Sequence, residues 1–166
     1  DPDTAEKLLA LGRADLVGFG RPLLADPELP NKARTGRVQE IRPCMACNQG
    51  CLANTFFDRP ITCLVNGRCG QELTLPLRHA VAPKRVLVIG GGPAGCEAAY
   101  RAAEKGHQVT LMEQSHALGG QLRQVVHVPA RQEFQTLLSF YETNLQRLGV
   151  RILRNRKATP ADAQGY

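Results

Sequence analysis

Tryptophan is absent from this chain, and aromatic residues of any kind are few: three tyrosines and five phenylalanines. A nucleic-acid surface usually clusters its basic residues and interleaves them with stacking aromatics. Here 21 basic and 15 acidic residues are spread along the sequence, for a net charge of +6, and no nucleic-acid partner is expected. The excess is densest at Arg147, Arg151, Arg154, Arg156 and Lys157. It reads as a solvated surface, with some basic groups available to face cofactor phosphates. Long apolar runs are missing too. None approaches the roughly 20 residues of a membrane span, and no charged-then-apolar leader opens the chain. No membrane partner and a cytoplasmic location are therefore expected. Low-complexity tracts are also lacking, and 43% hydrophobic with 22% charged residues is a globular composition.

An internal slice of a longer polypeptide is expected, since Asp1 is no initiator and the last pattern stops unfinished at Tyr166. Asp3 to Leu11 predicts a helix, with Asp3 as cap, Glu6 three residues on and Gly12 as stop. Asp15 to Phe19 predicts a short buried strand, followed by the turn Gly20-Arg21-Pro22. Asp26-Pro27-Glu28 opens a further helix towards Gly36. Helix, strand, glycine turn and helix make a fragment of a parallel α/β domain.

Residues 37–83 differ. They hold Cys44, Cys47, Cys51, Cys63 and Cys69, with prolines at 43, 60, 76 and 83 and little periodicity. Something other than a hydrophobic core must organise them. From Lys84 the pattern becomes regular: a strand over 85–89, an Ala-rich helix over 93–105 and a strand over 108–112. An amphipathic helix over 130–148 and a third strand from Val150 follow. That is the first half of a doubly wound nucleotide-binding domain.

Gly90, Gly92 and Gly95 form G-x-G-x-x-G between a strand and a helix. The first permits the tight turn, the second lets the backbone approach a pyrophosphate, and the third lets helix and strand pack closely. Pro93 suits the first helical turn, beside Ala94, whose free N–H groups and dipole attract phosphate. Glu113 ends the second strand, where a carboxylate can accept from ribose hydroxyls and would repel a 2′-phosphate. The site thus favours FAD or NAD over NADP. Gln114 follows it, and Gly119-Gly120-Gln121 adds a second glycine pair.

The cysteine spacing C-x2-C-x3-C-x11-C sets three thiolates within eight residues, with a fourth from a later loop. A [4Fe–4S] cluster tolerates the tight triple. Tetrahedral zinc is the competitor, although its ribbons usually pair two C-x2-C knuckles. Cys96 reads as a small buried thiol, and Cys69 as either a bystander or a substitute ligand. His79, His107, His116 and His127 read as surface residues.

The run Arg42-Pro43-Cys44-Met45-Ala46-Cys47-Asn48-Gln49-Gly50-Cys51-Leu52, with Thr62-Cys63-Leu64-Val65-Asn66, resembles the bacterial 2,4-dienoyl-CoA reductase family. These are iron–sulfur flavoproteins related to old yellow enzyme and trimethylamine dehydrogenase. Where that family commonly has Pro after the Val-Asn pair, this chain has Gly67. The resemblance implies an α/β chain in three parts. Residues 1–40 would be the C-terminal end of an FMN-binding (β/α)8 barrel, and 41–83 a loop-rich iron–sulfur segment. Residues 84–166 would be the first half of a Rossmann-like FAD-binding domain. Gly20 and Arg21 would hold the FMN phosphate, and Cys44, Cys47, Cys51 and Cys63 the cluster. Gly90, Gly92, Pro93, Ala94, Gly95, Glu113, Gln114, Gly120 and Gln121 would meet FAD.

The implied activity passes electrons from NAD(P)H through FAD and the [4Fe–4S] cluster to FMN. FMN would then reduce the activated double bond of an enoyl or dienoyl thioester. The proton donors would lie in the barrel upstream of Asp1, so no catalytic residue is named and the slice alone would be inactive. Two alternatives stay open: an amine dehydrogenase or demethylase like trimethylamine dehydrogenase, and a non-catalytic zinc-stabilised module that binds nucleotide.

Overall fold

Two groups of residues separate in the computed structural model, which describes residues 1–166: Asp1–Leu75 and Pro76–Tyr166. In the first, Asp1 rather than Asp3 caps the opening helix, α1 (Pro2–Ala10). Its side chain accepts from the Thr4 N–H at 2.8 Å, with Pro2 at the position where a missing N–H costs least. Gly12 follows at φ +60°, in the left-handed conformation the sequence predicts.

The strand expected over 15–19 does not form. A strand needs a neighbour to satisfy its N–H and C=O groups; no segment of the unit pairs with this one, and Leu16 is 89% exposed. A short helix, α2 (Arg21–Ala25), begins in the supposed turn, and the helix expected to open at Asp26 forms as α3 (Leu29–Arg34). Asp26 separates them in an extended conformation. Its buried carboxylate accepts from Lys32 Nζ at 2.6 Å, Arg42 N at 2.8 Å and Glu28 N at 3.1 Å. A helix through Asp26 would break that hub. The cysteine segment is largely irregular, with one short helix, α4 (Leu52–Phe56).

The second unit follows the sequence more closely. Strands β1 (Arg85–Ile89), β2 (Gln108–Met112) and β3 (Arg151–Leu153) form a parallel sheet in the order β1-β2-β3. Helix α5 (Pro93–Glu104) crosses from β1 to β2 and packs on both. A short helix, α6 (Leu122–Val125), and α7 (Phe134–Arg147) link β2 to β3. The amphipathic helix therefore starts four residues later than periodicity predicts, because Ala130 adopts φ +58°. The core lies between the sheet, α5 and α7, where Leu111, Leu145, Ala99 and Asn144 are fully buried. Tyr100 and Phe140 pack there with ring centroids 5.3 Å apart. Each buried Leu or Phe contributes roughly 1.5–3 kcal/mol. This is an α/β architecture with a small parallel sheet. No helix is long and apolar enough to cross a membrane.

Candidate functional site

In the first unit, Cys44, Cys47, Cys51 and Cys63 line one cavity together with Arg21 and Asn48. Left-handed residues shape the loop around it: Ala46 at φ +50° and Asn48 at φ +59° turn the chain between the first three cysteines. Gly50 then brings in the fourth. Thr62 donates its N–H to the Gly50 carbonyl at 2.7 Å, and a Cβ on Gly50 would sit 2.6 Å from Thr62 Oγ1 and 2.9 Å from Thr62 O. Any side chain at position 50 would push away the strand of loop that carries Cys63.

Burial pushes the Cys63 thiol above its ordinary pKa, opposed by the backbone N–H groups of Val65 and Asn66. The neighbouring Cys44 and Cys47 push it up further. Thiolates gathered this closely repel one another unless a cation sits among them. Four thiols lining one cavity suit a cluster whose irons each take one ligand; a single zinc would take the same four in a tetrahedron. The donor set therefore fits an iron–sulfur group.

Cys69 does not line the cavity. It is buried, and its thiol pKa is raised by that burial, then by Cys63, Glu72 and Cys51. Arg21, expected beside an FMN phosphate, lies on the cysteine cavity, and its guanidinium donates to the Asn48 side chain. Gly20 caps α2, with open space where a Cβ would point.

In the second unit the glycine turn is a set of close approaches. A Cβ on Gly95 would stand 1.8 Å from the Gly90 carbonyl oxygen, so only glycine lets α5 meet the end of β1. Gly90 takes φ +97°. Gly92 caps α5 with nothing within 4 Å of an added Cβ, which leaves the N-terminus of a 12-residue helix open to an anion. Pro93 and Ala94 are exposed there.

Glu113 is buried beneath this turn. Its carboxylate accepts the Gly91 N–H at 2.6 Å and the Ser115 N–H at 2.7 Å. Burial raises its pKa, but the hydrogen bonds from Ser115 and Gly91 outweigh that and hold the carboxyl below its ordinary value. A permanent anion at this place repels a phosphate placed next to it. Gln114, Gly120 and Gln121 are exposed around it.

The second glycine pair closes on the first: Gly119 donates to the Gly91 carbonyl at 2.7 Å, and a Cβ on Gly120 would lie 3.2 Å from Gly92 Cα. The sequence singled out Gly90, Gly92 and Gly95 but not Gly91 or Leu118. The triplet of consecutive glycines was the available signal. A Cβ on Gly91 would meet Leu118 Cδ2 at 2.5 Å. Cys96 is the inert thiol expected: it is 1% exposed, it donates to the Gly91 carbonyl, and burial pushes its pKa up to about 12. His107 is structural, its Nδ1 accepting the Lys84 N–H at 3.0 Å.

Comparison with known proteins agrees with this geometry. Residues 85–162 match the family model described as FAD dependent oxidoreductase. The chain is 47% identical over 159 residues to a metal reductase of Desulforamulus reducens, covering 96% of this chain and 24% of that protein. It superposes on the 2-naphthoyl-CoA reductase–2-naphthoyl-CoA complex with a TM-score of 0.93 and 41% identity, covering 98% of this chain and 25% of that one. Histamine dehydrogenase from Rhizobium sp. 4-9 gives 0.89 and 27%, over 99% and 25%. The chain thus spans about a quarter of the length of these relatives.

Proposed function

Since the chain belongs to the family of FAD dependent flavoprotein oxidoreductases, we propose that it is the segment of an iron–sulfur flavoenzyme joining an FMN-binding (β/α)8 barrel to a Rossmann-like FAD-binding domain. In this reading residues 1–40 end the barrel, 41–83 carry the cluster and 84–166 open the FAD domain. Cys44, Cys47, Cys51 and Cys63 hold the [4Fe–4S] group, and Gly20 and Arg21 hold the FMN phosphate. Gly90, Gly92, Pro93, Ala94 and Gly95 hold the FAD pyrophosphate, with Glu113, Gln114, Gly120 and Gln121 around the rest of the dinucleotide.

When bound, these groups would convert hydride chemistry from NAD(P)H into single-electron transfer towards the activated double bond of an enoyl or dienoyl thioester. The chain's own residues bind and orient. The N-terminus of α5 offers N–H groups to phosphate, and Glu113 stays ionised. The N–H groups of Val65 and Asn66 aim the Cys63 sulfur.

The observation that carries the reading is the common cavity lined by four thiols at the spacing C-x2-C-x3-C-x11-C. The likeness to a reductase solved with a CoA thioester supports the substrate class. A second reading, amine oxidation, draws support from the likeness to histamine dehydrogenase. Iron and sulfide analysis of the intact enzyme purified without oxygen, followed by titration, separates the two. About four of each per chain and a broad absorbance near roughly 400 nm, bleached by NADH or NADPH and restored by an enoyl thioester, are expected. Bleaching by an amine and not by a pyridine nucleotide would favour the second reading. A colourless protein with stoichiometric zinc would end both.

A further inference from the structure

Arg21 reaches across 27 residues of sequence to the cysteine loop: its guanidinium donates to the Asn48 side-chain oxygen, and both residues line the cavity of the four thiols. A guanidinium carries five donors in a rigid fork. Asn48 takes one of them, and the rest have no partner within the chain, which leaves them for a second acceptor. Beside Arg21, Gly20 has open space where a Cβ would point, so an anion can come close to the backbone there.

The Asn48 oxygen is itself held from the loop. Asn48 sits between Cys47 and Cys51 at φ +59°, a conformation that asparagine tolerates better than most residues. Its carbonyl accepts the Ala53 N–H at 2.9 Å. The backbone that presents the side chain is therefore set without calling on Arg21. A long side chain free to sample many rotamers must give up that freedom when it meets a phosphate. One already fastened to a fixed oxygen has given up part of it beforehand, and such preorganisation favours binding.

We propose that Asn48 is a positioning residue for the FMN phosphate, acting through Arg21: the loop that carries the cysteines aims the guanidinium that meets the flavin. Two redox groups then share one support, because a residue standing between two of the proposed cluster ligands also holds the arginine of the phosphate site. The inference rests on the reading of Gly20 and Arg21 above. It goes beyond that reading, since neither the ligand set nor the resemblance gives Asn48 a role.

The test measures FMN binding to the intact flavoenzyme, stripped of FMN and titrated with it, from the quenching of flavin fluorescence. Iron is assayed on the same samples. Asn48→Gly removes the side-chain oxygen and keeps the backbone, since glycine takes a positive φ at no steric cost. N48G should bind FMN about fivefold more weakly, the worth of one hydrogen bond, with its iron intact. In an Arg21→Ala background the same change should do nothing further, because a residue that acts through Arg21 then has nothing to aim. Unchanged FMN affinity in N48G, loss of its iron, or a further fall from R21A to the double variant would each overturn the proposal. An R21A enzyme that binds FMN as tightly as the unaltered one would go deeper. It would remove Arg21 from the phosphate, and the underlying reading would fall together with the inference.

Discussion

The two units position the residues proposed to hold redox groups by opposite means. Residues 76–166 do it with a core: thirteen of the nineteen buried apolar residues are there, arranged between a sheet and two long helices. Residues 1–75 bury only Ala5, Ala25, Leu29, Met45, Val65 and Cys69, while Leu52, Phe56, Phe57, Ile61 and Leu64 stay exposed around the cysteines. Polar pins take the place of packing: Asp26 gathers three donors, Arg42 and Asn66 clamp one peptide, and Thr62 clamps Gly50. A backbone shaped before its ligand arrives can lose that ligand and persist. A loop pinned in this way is expected to depend on the proposed cluster as small metal domains depend on their metal.

Breaking the first side of that contrast should have the largest effect. Cys47→Ser in the intact enzyme is expected to abolish iron retention and to open residues 37–75 to proteolysis. Residues 85–153 should keep their amide protection in hydrogen exchange. Equal loss of protection in both stretches would mean that they fold as one cooperative body and that the contrast is false.

Breaking the second side takes a change at the close approach. Gly95→Ala drives a methyl into the Gly90 carbonyl, and the turn must move. A loss of about 1–3 kcal/mol is expected for overpacking of this kind, together with release of FAD but full retention of iron. Flavin and iron assays on one preparation read both at once.

Glu113→Gln gives the smallest effect and sharpens the comparison by pH. The folded pKa of Glu113 lies below its unfolded value, so its contribution is present above the unfolded pKa, about 4.3. It is lost as pH falls through the folded value. The unaltered enzyme should lose thermal stability below about pH 4.3 more steeply than E113Q. At neutral pH the variant should be about 1–2 kcal/mol less stable, since one amide oxygen replaces two acceptors for the N–H groups of Gly91 and Ser115. Parallel pH profiles for the two proteins would remove Glu113 from the account.

The same contrast explains what was legible in the sequence. β1 and β2 run over the residues that the pattern predicts; in β2 the apolar run reports burial, while β1 stays half-exposed and is held by its parallel pairing to β2. The glycine turn is legible because each glycine answers a steric demand. Asp26 was read in part: it precedes α3 and accepts the Glu28 N–H as a helix-start aspartate does, but it also takes the Arg42 N–H from sixteen residues away. Residues 15–19 carry a strand's composition with no strand beside them. Arg42 and Asn66 stand in the motifs that carry the resemblance, but nothing in a single sequence says that Arg42 holds the Val65 carbonyl or Asn66 the Leu24 carbonyl. A fold built from pins is written in long-range pairs, and a single sequence does not display pairs.

The contact between the two glycine doublets constrains how this enzyme family can diversify. Gly119 donates to the Gly91 carbonyl and Gly120 lies close against Gly92, so Gly91, Gly119 and Gly120 cannot be exchanged for larger residues without moving the backbone or the Leu118 and Leu138 side chains beside it. Selection acting on cofactor preference must work at the rim, through Gln114 and Gln121, or replace Glu113 and rebuild the turn above it.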